Sequence, residues 1–258
     1  MMDLFSDLST VSLVLFFIAG LCAGFVDSIA GGGGLISLPV LLFAGLPPQV
    51  ALGTNKLQSS FGSFSAAFNY VSKGTIELKG SLLGICFTFI GAVSGAFVIQ
   101  QMDAAFLKHL VPILLLLVFF YTLLSPDLGR TDRAPKIPSA PFFILFGMLL
   151  GFYDGFFGPG TGSFWTASLL VVLGLNMTRA VGMTKIMNFT SNFVALIVFI
   201  IGGNVAYAIG IVMAVGQLIG ARIGSNMAIE RGTAFIRPLF LTVVFLTIVR
   251  LVYQNFTG

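Results

Sequence analysis

Apolar stretches separated by Gly, Pro or charged residues dominate the chain. Five stretches in the first part cover residues 9–30, 35–45, 50–71, 81–99 and 104–124. Five more follow in the same order, over residues 142–157, 163–173, 178–201, 205–228 and 233–256. A bilayer core about 30 Å thick requires roughly 20 residues of helix per crossing. The pattern therefore predicts an all-α, polytopic membrane protein with about eight full spans and two short elements, at 35–45 and 163–173.

One segment interrupts this pattern. Residues 125–141 contain four prolines, Pro126, Pro135, Pro138 and Pro141, interleaved with five charged residues. Clustered prolines and charges are typical of a connecting loop. The predicted organisation is a first transmembrane repeat over 1–124, a linker over 125–141 and a second transmembrane repeat over 142–258.

The two halves resemble each other residue by residue. Gly24-Phe25-Val26-Asp27 matches Gly151-Phe152-Tyr153-Asp154 at an offset of 127. After a two-residue slip the offset is 129, which aligns Lys56 with Lys185. Matched glycines are weak evidence because membrane helices are rich in Gly, but matched Asp and Lys among so few charges indicate an internal duplication.

Basic residues favour an inverted arrangement of the repeats. If the short elements cross the membrane, each half has five passes, and an outside N-terminus places eight Lys and Arg residues inside against Lys108 outside. If they are only re-entrant, each half has four passes and the better orientation leaves five inside and four outside. We therefore predict inverted repeats, a cytoplasmic linker and periplasmic termini, although 35–45 covers only about 17 Å.

Composition excludes several functional classes. Hydrophobic residues make up 57% of the chain and charged residues 9%, whereas soluble domains carry about 25% charge. The net charge of +4 reflects basic loops rather than nucleic-acid binding. One histidine, His109, and two cysteines, Cys22 and Cys86, do not supply the ligands of a metal or haem site. No cofactor, metal or enzymatic activity is expected.

Two glycine-rich breaks are the first candidate binding elements. Gly31 to Gly34 and Gly158-Pro159-Gly160-Thr161-Gly162 separate a longer from a shorter apolar stretch in each half. Broken helices at matched positions point to a transporter's binding site, and the helix that follows each break directs free N–H groups toward it. An anion suits such a site; tight turns or close helix packing are the alternative.

Two buried lysines are the second candidate. Lys56 and Lys185 lie far from any predicted helix end, where a charge costs roughly 2.5 to 3.5 kcal/mol in a bilayer. The predicted substrate-binding residues combine the breaks with these lysines and their polar neighbours: Gly32, Gly33, Gly34, Asn55, Lys56, Gln58, Gly160, Thr161, Gly162, Thr184, Lys185 and Asn188. The alternative is that each lysine is structural and neutralised by a carboxylate.

Asp27 and Asp154 each precede a break by four residues. Two roles are open for them. They pair with the lysines, or they take up protons and couple transport to the proton gradient. Helix capping or a place near the membrane interface is the alternative.

The first break and the following helix carry a family resemblance. Gly24 to Pro39, followed by Ala51-Leu-Gly-Thr-Asn-Lys56, resembles the TauE/SafE sulfite exporter family, and Gly158 to Gly162 fits the same pattern. The resemblance covers nearly the whole chain. It implies a bacterial inner-membrane transporter for sulfite, sulfonates or related organosulfur anions, in a family usually described with about eight spans.

The sequence therefore predicts a secondary transporter of a small anionic solute in the lipid bilayer of the cell inner membrane. A transporter of another solute or ion, or a passive channel, is the alternative. A homo-oligomer is left open, and no nucleic-acid partner is expected.

Overall fold

The computed structural model describes residues 10–103 and 134–231. Within these ranges the chain forms eight α-helices and one short 3₁₀ helix, with no strand. The helices are α1 (Thr10–Ala30), α2 (Gly34–Phe43), α3 (Pro48–Ser72), the 3₁₀ helix (Leu78–Ser81), α4 (Leu82–Gln100), α5 (Ser139–Phe156), α6 (Thr161–Val171), α7 (Met177–Ile201) and α8 (Tyr207–Arg231). Of the ten predicted apolar stretches, eight fall within the described residues, and each of these eight coincides with one α-helix. The stretches predicted at 104–124 and 233–256, both chain ends and most of the linker lie outside the described residues.

Five helices, α1, α4, α5, α7 and α8, are long and apolar enough to cross a membrane. Their outer faces expose large apolar side chains, including Leu15, Phe89 and Ile211, as expected of helices in contact with lipid. The chain is therefore a multi-pass helical membrane protein. Helix α3 also has 25 residues, but its polar side chains lower its hydropathy. The short elements α2 and α6 have 10 and 11 residues.

Prolines mark two helix starts. Helix α3 begins at Pro48, where proline is favoured because the first N–H groups of a helix have no intrahelical acceptor. Helix α5 begins at Ser139, three residues before the apolar stretch predicted from 142, with Pro138 as its cap and Pro141 in its first turn. The same missing N–H makes Pro141 harmless there.

Glycines join the helices in two close pairs. Helix α1 packs along α8 and helix α4 packs along α5, more extensively than any other pair among the described residues. A side chain on Gly24 would collide with the backbone of Gln217, and one on Gly151 would collide with the backbone of Thr88. Small residues at helix contacts let backbones approach, which is how membrane helices associate without a hydrophobic driving force.

The contacts also fix the directions of the helices. Along α1 and α8, Gly20 contacts Met213 and Gly24 contacts Gln217, so the two helices run in the same direction.

Helix α3 runs in that direction too. Thr54, near its start, bonds to Ala206 just before α8, and Asn69, near its end, bonds to Ser225 near the end of α8. Helix α7 runs opposite to α3, since Lys56 contacts Asn192 whereas Tyr70 lies against Gly182.

Helices α4 and α5 share the direction of α7. Thr88 of α4 contacts Met187 of α7, and Gln100 contacts Val198. Side chains on Gly91 and Gly95 of α4 would meet the backbone of α5 near Met148 and Phe152. The six longer helices thus form two groups of opposite direction. Helices α1, α3 and α8 run one way, and α4, α5 and α7 run the other way.

Candidate functional site

The chain leaves helical geometry at both glycine-rich breaks. Helix α1 ends at Ala30 and α2 starts at Gly34, while α5 ends at Phe156 and α6 starts at Thr161. Gly31 has a φ of 75°, Gly158 of 101° and Gly160 of 85°. Residues with a Cβ rarely adopt these angles, so glycine is required for the chain to turn here.

The two breaks contact each other. A Cβ on Gly31 would collide with the backbone of Gly162, and one on Gly162 would collide with Gly31. Ser163 Oγ of α6 donates a hydrogen bond of 3.2 Å to the carbonyl oxygen of Ala30, at the end of α1. The N-termini of α2 and α6, with their positive partial charge, therefore meet in one region.

Lys56 forms a fully buried ion pair with Asp154. Each lysine lies eight residues after the first residue of its helix, far from the ends that would let it reach water. The distance from Lys56 Nζ to Asp154 Oδ1 is 2.6 Å, and the two side chains are only 1% and 3% exposed. Lys56 Nζ also donates to the Asp154 carbonyl oxygen and, over 3.1 Å, to Asn192 Oδ1. All three protons of this ammonium therefore have acceptors, and Ser191 Oγ donates to Asp154 Oδ2.

Lys185 pairs with Asp27 in a looser arrangement. The distance from Lys185 Nζ to Asp27 Oδ2 is 3.0 Å, and the Asp27 side chain is 19% exposed. Lys185 Nζ also donates to the Asp27 carbonyl oxygen, but no third acceptor is found among the described residues. The N–H of Gly33, in the first break, donates to Asp27 Oδ1 over 3.3 Å.

Both ion pairs connect the first half of the chain to the second. Lys56 of α3 reaches Asp154 of α5, and Lys185 of α7 reaches Asp27 of α1. A lone buried charge is costly, whereas a paired and hydrogen-bonded one is tolerated. The four side chains carry no net formal charge when all are ionised.

A small polar cavity lies where the breaks meet. Its volume is about 20 Å³, which suffices for about one water molecule. The lining residues are Asp27, Gly31, Gly34, Asn55, Ser59, Asp154, Gly158, Gly160, Thr161, Gly162, Asn188 and Asn192. Asn188 Oδ1 is buried without a hydrogen-bond partner among the described residues. No group of three or more metal-ligating side chains occurs in the described part of the chain.

Six of the predicted substrate-binding residues line this cavity: Gly34, Asn55, Gly160, Thr161, Gly162 and Asn188. The remaining six do not line it. Gly32 and Gly33 belong to the first break, and Lys56 and Lys185 are held by the lining carboxylates. Gln58 Nε2 donates to Asn55 Oδ1 over 2.7 Å, and Thr184 Oγ1 lies 3.1 Å from Thr166 Oγ1.

Asp27 and Asp154, predicted for charge pairing or proton coupling, also line the cavity, and four further lining residues were not predicted: Gly31, Ser59, Gly158 and Asn192. Signals for them are present in the sequence. Gly31 and Gly158 occupy matched positions in the two breaks, while Ser59 and Asn192 follow the lysines at helical spacing on faces that also carry Asn55 and Asn188.

The protein is a multi-pass membrane protein with a charged centre. Each lysine pairs there with the aspartate of the other half, and two broken helices meet at a polar cavity. The chain matches the Sulfite exporter TauE/SafE family over residues 16–251. This protein belongs to that family.

Three relatives have similar lengths. The chain is 43% identical to the "Probable membrane transporter protein YfcA" of Escherichia coli (strain K12), over 98% of this chain and 96% of the relative. It is 40% identical to the "Probable membrane transporter protein" of Haemophilus influenzae, over 96% and 98% of the two chains. Identity to the "Probable membrane transporter protein ORF9" of Sinorhizobium sp is also 40%, over 95% and 94%. No solved structure matches the chain. The protein is a membrane transporter of the TauE/SafE family.

Proposed function

We propose that this protein is a secondary transporter of a small oxyanion, with sulfite or an organic sulfonate as the candidate substrates. One observation carries the proposal: two helix N-termini line one polar cavity, and the carboxylates in its wall hold two buried lysines. Helix N-termini and lysines both favour anions. The family description names sulfite, which is why sulfur oxyanions are placed first.

The looser ion pair supports a binding step at Lys185. Its ammonium has a spare proton among the described contacts, and its partner Asp27 is partly exposed and lines the cavity. An incoming oxyanion takes the place of the Asp27 carboxylate at Lys185 and accepts hydrogen bonds from backbone N–H groups of the first break. The displaced carboxylate binds a proton, so that proton and anion are transported together.

Helix directions support a mechanism with two inverted repeats. Helix α3 runs opposite to α7 and α1 runs opposite to α5, as inverted repeats require. In such transporters one half moves against the other and opens the central site to each side in turn. The cavity of about 20 Å³ is too small for sulfite, so substrate entry requires the breaks to separate.

The same proposal gives the protein an orientation and a location. It lies in the cell inner membrane, with the linker in the cytoplasm and both termini in the periplasm. Cysteine labelling at Lys73 and Gly203, which are both exposed, tests this, because inversion places the loops that follow α3 and α7 on opposite sides. Labelling from the same side at both positions would rule out inverted repeats. Cross-linking in membranes tests association with a second copy.

Thermal melting of the purified protein with sulfite, methanesulfonate, taurine and chloride tests the substrate class. A ligand that binds only the folded state at 100 times its Kd stabilises it by about 2.7 kcal/mol. We expect sulfite or a sulfonate to raise the melting temperature, and chloride at the same ionic strength to have no effect.

Variants at the two lysines separate binding from folding. Lys185→Met should weaken anion binding by about tenfold or more, because it removes a charged hydrogen bond. Lys56→Met serves as the matched control for loss of a buried lysine and should mainly lower stability. Unchanged anion affinity in a folded Lys185→Met protein would assign this lysine to structure. Saturable counterflow in proteoliposomes would distinguish a carrier from a passive channel.

A further inference from the structure

The interface between α3 and α8 is polar along much of its length. Asn69 Nδ2 donates to Ser225 Oγ over 2.8 Å and to Asn226 Oδ1 over 2.9 Å. Ser65 Oγ donates over 3.0 Å to the carbonyl oxygen of Leu218. The side chain of Gln217 lies over Gly62, where a Cβ would collide with its amide oxygen.

Three amide oxygens on α3 and α8 have no hydrogen-bond donor among the described residues. They are Gln58 Oε1, Asn69 Oδ1 and Gln217 Oε1, and they make up three of the five buried side-chain atoms without a partner in the described residues. Each of these side chains is at most 1% exposed. Gln58 lies one turn before Gly62, which contacts Gln217, and so shares the α3 face that meets α8. A buried acceptor without a donor is destabilising, and most such groups in proteins are satisfied, often by ordered water.

The corresponding interface between α7 and α4 does not share this polarity. The offset of 129 places Met187 at the position of Gln58, Val198 at Asn69, Thr88 at Gln217 and Ala96 at Ser225. The two interfaces connect matched helices, yet in the described part of the chain unpaired amides lie at the matched positions of the first interface alone. Helix packing alone therefore does not account for the polar side chains between α3 and α8.

This polar interface begins at the cavity. Gln58 Nε2 donates to Asn55 Oδ1 and to Ser59 Oγ, and both of these residues line the cavity. Asn69 lies eleven residues farther along α3, about 16 Å at 1.5 Å per residue. The unpaired oxygens thus extend from the cavity wall almost to the end of α3 at Ser72.

We propose that the α3–α8 interface is a water path that connects the central cavity with the membrane surface at the ends of α3 and α8. Water supplies the donors that the three amide oxygens lack, and the interface hydrates when the cavity opens in that direction. The α4–α7 interface, with Met187, Val198 and Ala96 at three of the four matched positions, stays dry. The inference rests on the proposed function only in taking the cavity as the transport site.

Two matched cysteine variants test the path. Ser225→Cys in α8 and Ala96→Cys in α4 occupy corresponding positions, and both parent residues are fully buried. They are introduced into a protein whose native Cys22 and Cys86 are replaced by Ala. A water-soluble, positively charged methanethiosulfonate is added to native membranes, and the labelling rate is measured by mass spectrometry.

We expect Ser225→Cys to react about tenfold or more faster than Ala96→Cys, because the reactive thiolate forms only where water is present. Equal and slow reaction at both sites, in proteins that elute as folded monodisperse species, would overturn the proposal. If Ser225→Cys is protected by sodium chloride but not by choline chloride, the site holds a bound cation and the water path is wrong.

The labelling result does not depend on anion affinity. If Lys185→Met binds anions normally while Ser225→Cys labels quickly, the proposed function fails and the path stands. If Lys185→Met loses affinity while Ser225→Cys is unreactive, the anion site stands and the path fails.

Discussion

The two lysine–aspartate pairs have the same chemistry and different surroundings. Lys56 uses all three of its protons, and its partner Asp154 receives an additional bond from Ser191. Lys185 has two acceptors, both on Asp27, which is 19% exposed and bonded to the backbone of Gly33. We call the Lys56–Asp154 pair closed, because every proton of its ammonium has an acceptor. The Lys185–Asp27 pair is called open, because one proton of its ammonium has no acceptor among the described residues and remains available to a ligand.

Two sequence positions account for this difference. Helix α7 carries Ser191 and Asn192 beside the Lys56–Asp154 pair, and the offset of 129 places Gly62 and Ser63 at the same positions of α3. Gly62 has no side chain to donate, and Ser63 Oγ bonds to the carbonyl oxygens of Ser59 and Ser60 instead. Duplication therefore supplied two similar pairs, and substitutions in one half left the Lys185–Asp27 pair open to a ligand.

The largest effect on stability is expected when a substitution breaks the closed pair. Lys56→Met should lower the free energy of unfolding by about 3 to 5 kcal/mol, because it leaves Asp154 as an uncompensated buried charge. Lys185→Met should have a smaller effect, since Asp27 is partly exposed. Thermal or chemical unfolding of both variants in the same detergent measures the difference.

The double variant Lys56→Met/Asp154→Asn is the control for charge. It should recover part of the stability, because no unpaired charge remains buried. Equal destabilisation by the two single lysine variants would contradict the distinction between a closed and an open pair.

Exchanging residues between the halves sharpens the comparison. Asn192→Ser should lower stability by about 1.5 to 3 kcal/mol, because Lys56 loses a hydrogen bond to its charged group. Ser63→Asn should supply Lys185 with a third acceptor and weaken sulfonate affinity by about tenfold. Melting temperatures and binding isotherms of both variants report the outcome. If Ser63→Asn leaves affinity unchanged in a folded protein, the spare proton of Lys185 has no role in binding.

Proton uptake at the open pair predicts a pH dependence. When one proton accompanies each anion, affinity for methanesulfonate rises as the pH falls, by at most about tenfold per pH unit. Methanesulfonate is the suitable ligand because its own charge does not change between pH 5 and 8. Binding should become pH-independent in Asp27→Asn. A flat profile in the unmodified protein would exclude coupling through a displaced carboxylate.

The smallest effect concerns the first break. A Cβ on Gly33 would lie 2.7 Å from both the Ala23 carbonyl oxygen and the Asp27 Cβ, so Gly33→Ala should displace Asp27 and reduce anion affinity severalfold, with a stability loss of about 1 to 3 kcal/mol. Gly91→Ala is the control, because its Cβ would meet the backbone of α5 at residues that do not line the cavity. We expect Gly91→Ala to lower the melting temperature without changing affinity. The reverse result would assign Gly33 to packing.

Much of the architecture could be predicted from local patterns. Apolar stretches of sufficient length predict helices, and consecutive glycines predict where they break, because both depend on neighbours in the chain. Matched Asp and Lys residues were visible as well. The pattern of Lys and Arg favours inverted repeats, and that remains a prediction tested by labelling.

The sequence did not reveal which lysine pairs with which aspartate. Within one half, Asp27 and Lys56 are 29 positions apart and could have paired. The structure pairs each lysine with the aspartate of the other half instead, because α1 packs along α8 and α4 along α5, which brings helices of the two halves together around the centre.

By itself, the sequence determined the helices, their breaks and the presence of four matched charges within the apolar pattern, since each of these follows from helical spacing, backbone freedom or the internal repeat. Only the tertiary structure decided that the breaks touch at Gly31 and Gly162, and that one ion pair is closed while the other is open. The physical reason is that a side chain's hydrogen-bond partners on other helices depend on helix direction and contact distance. Those quantities are set by packing across the whole chain and leave no local pattern.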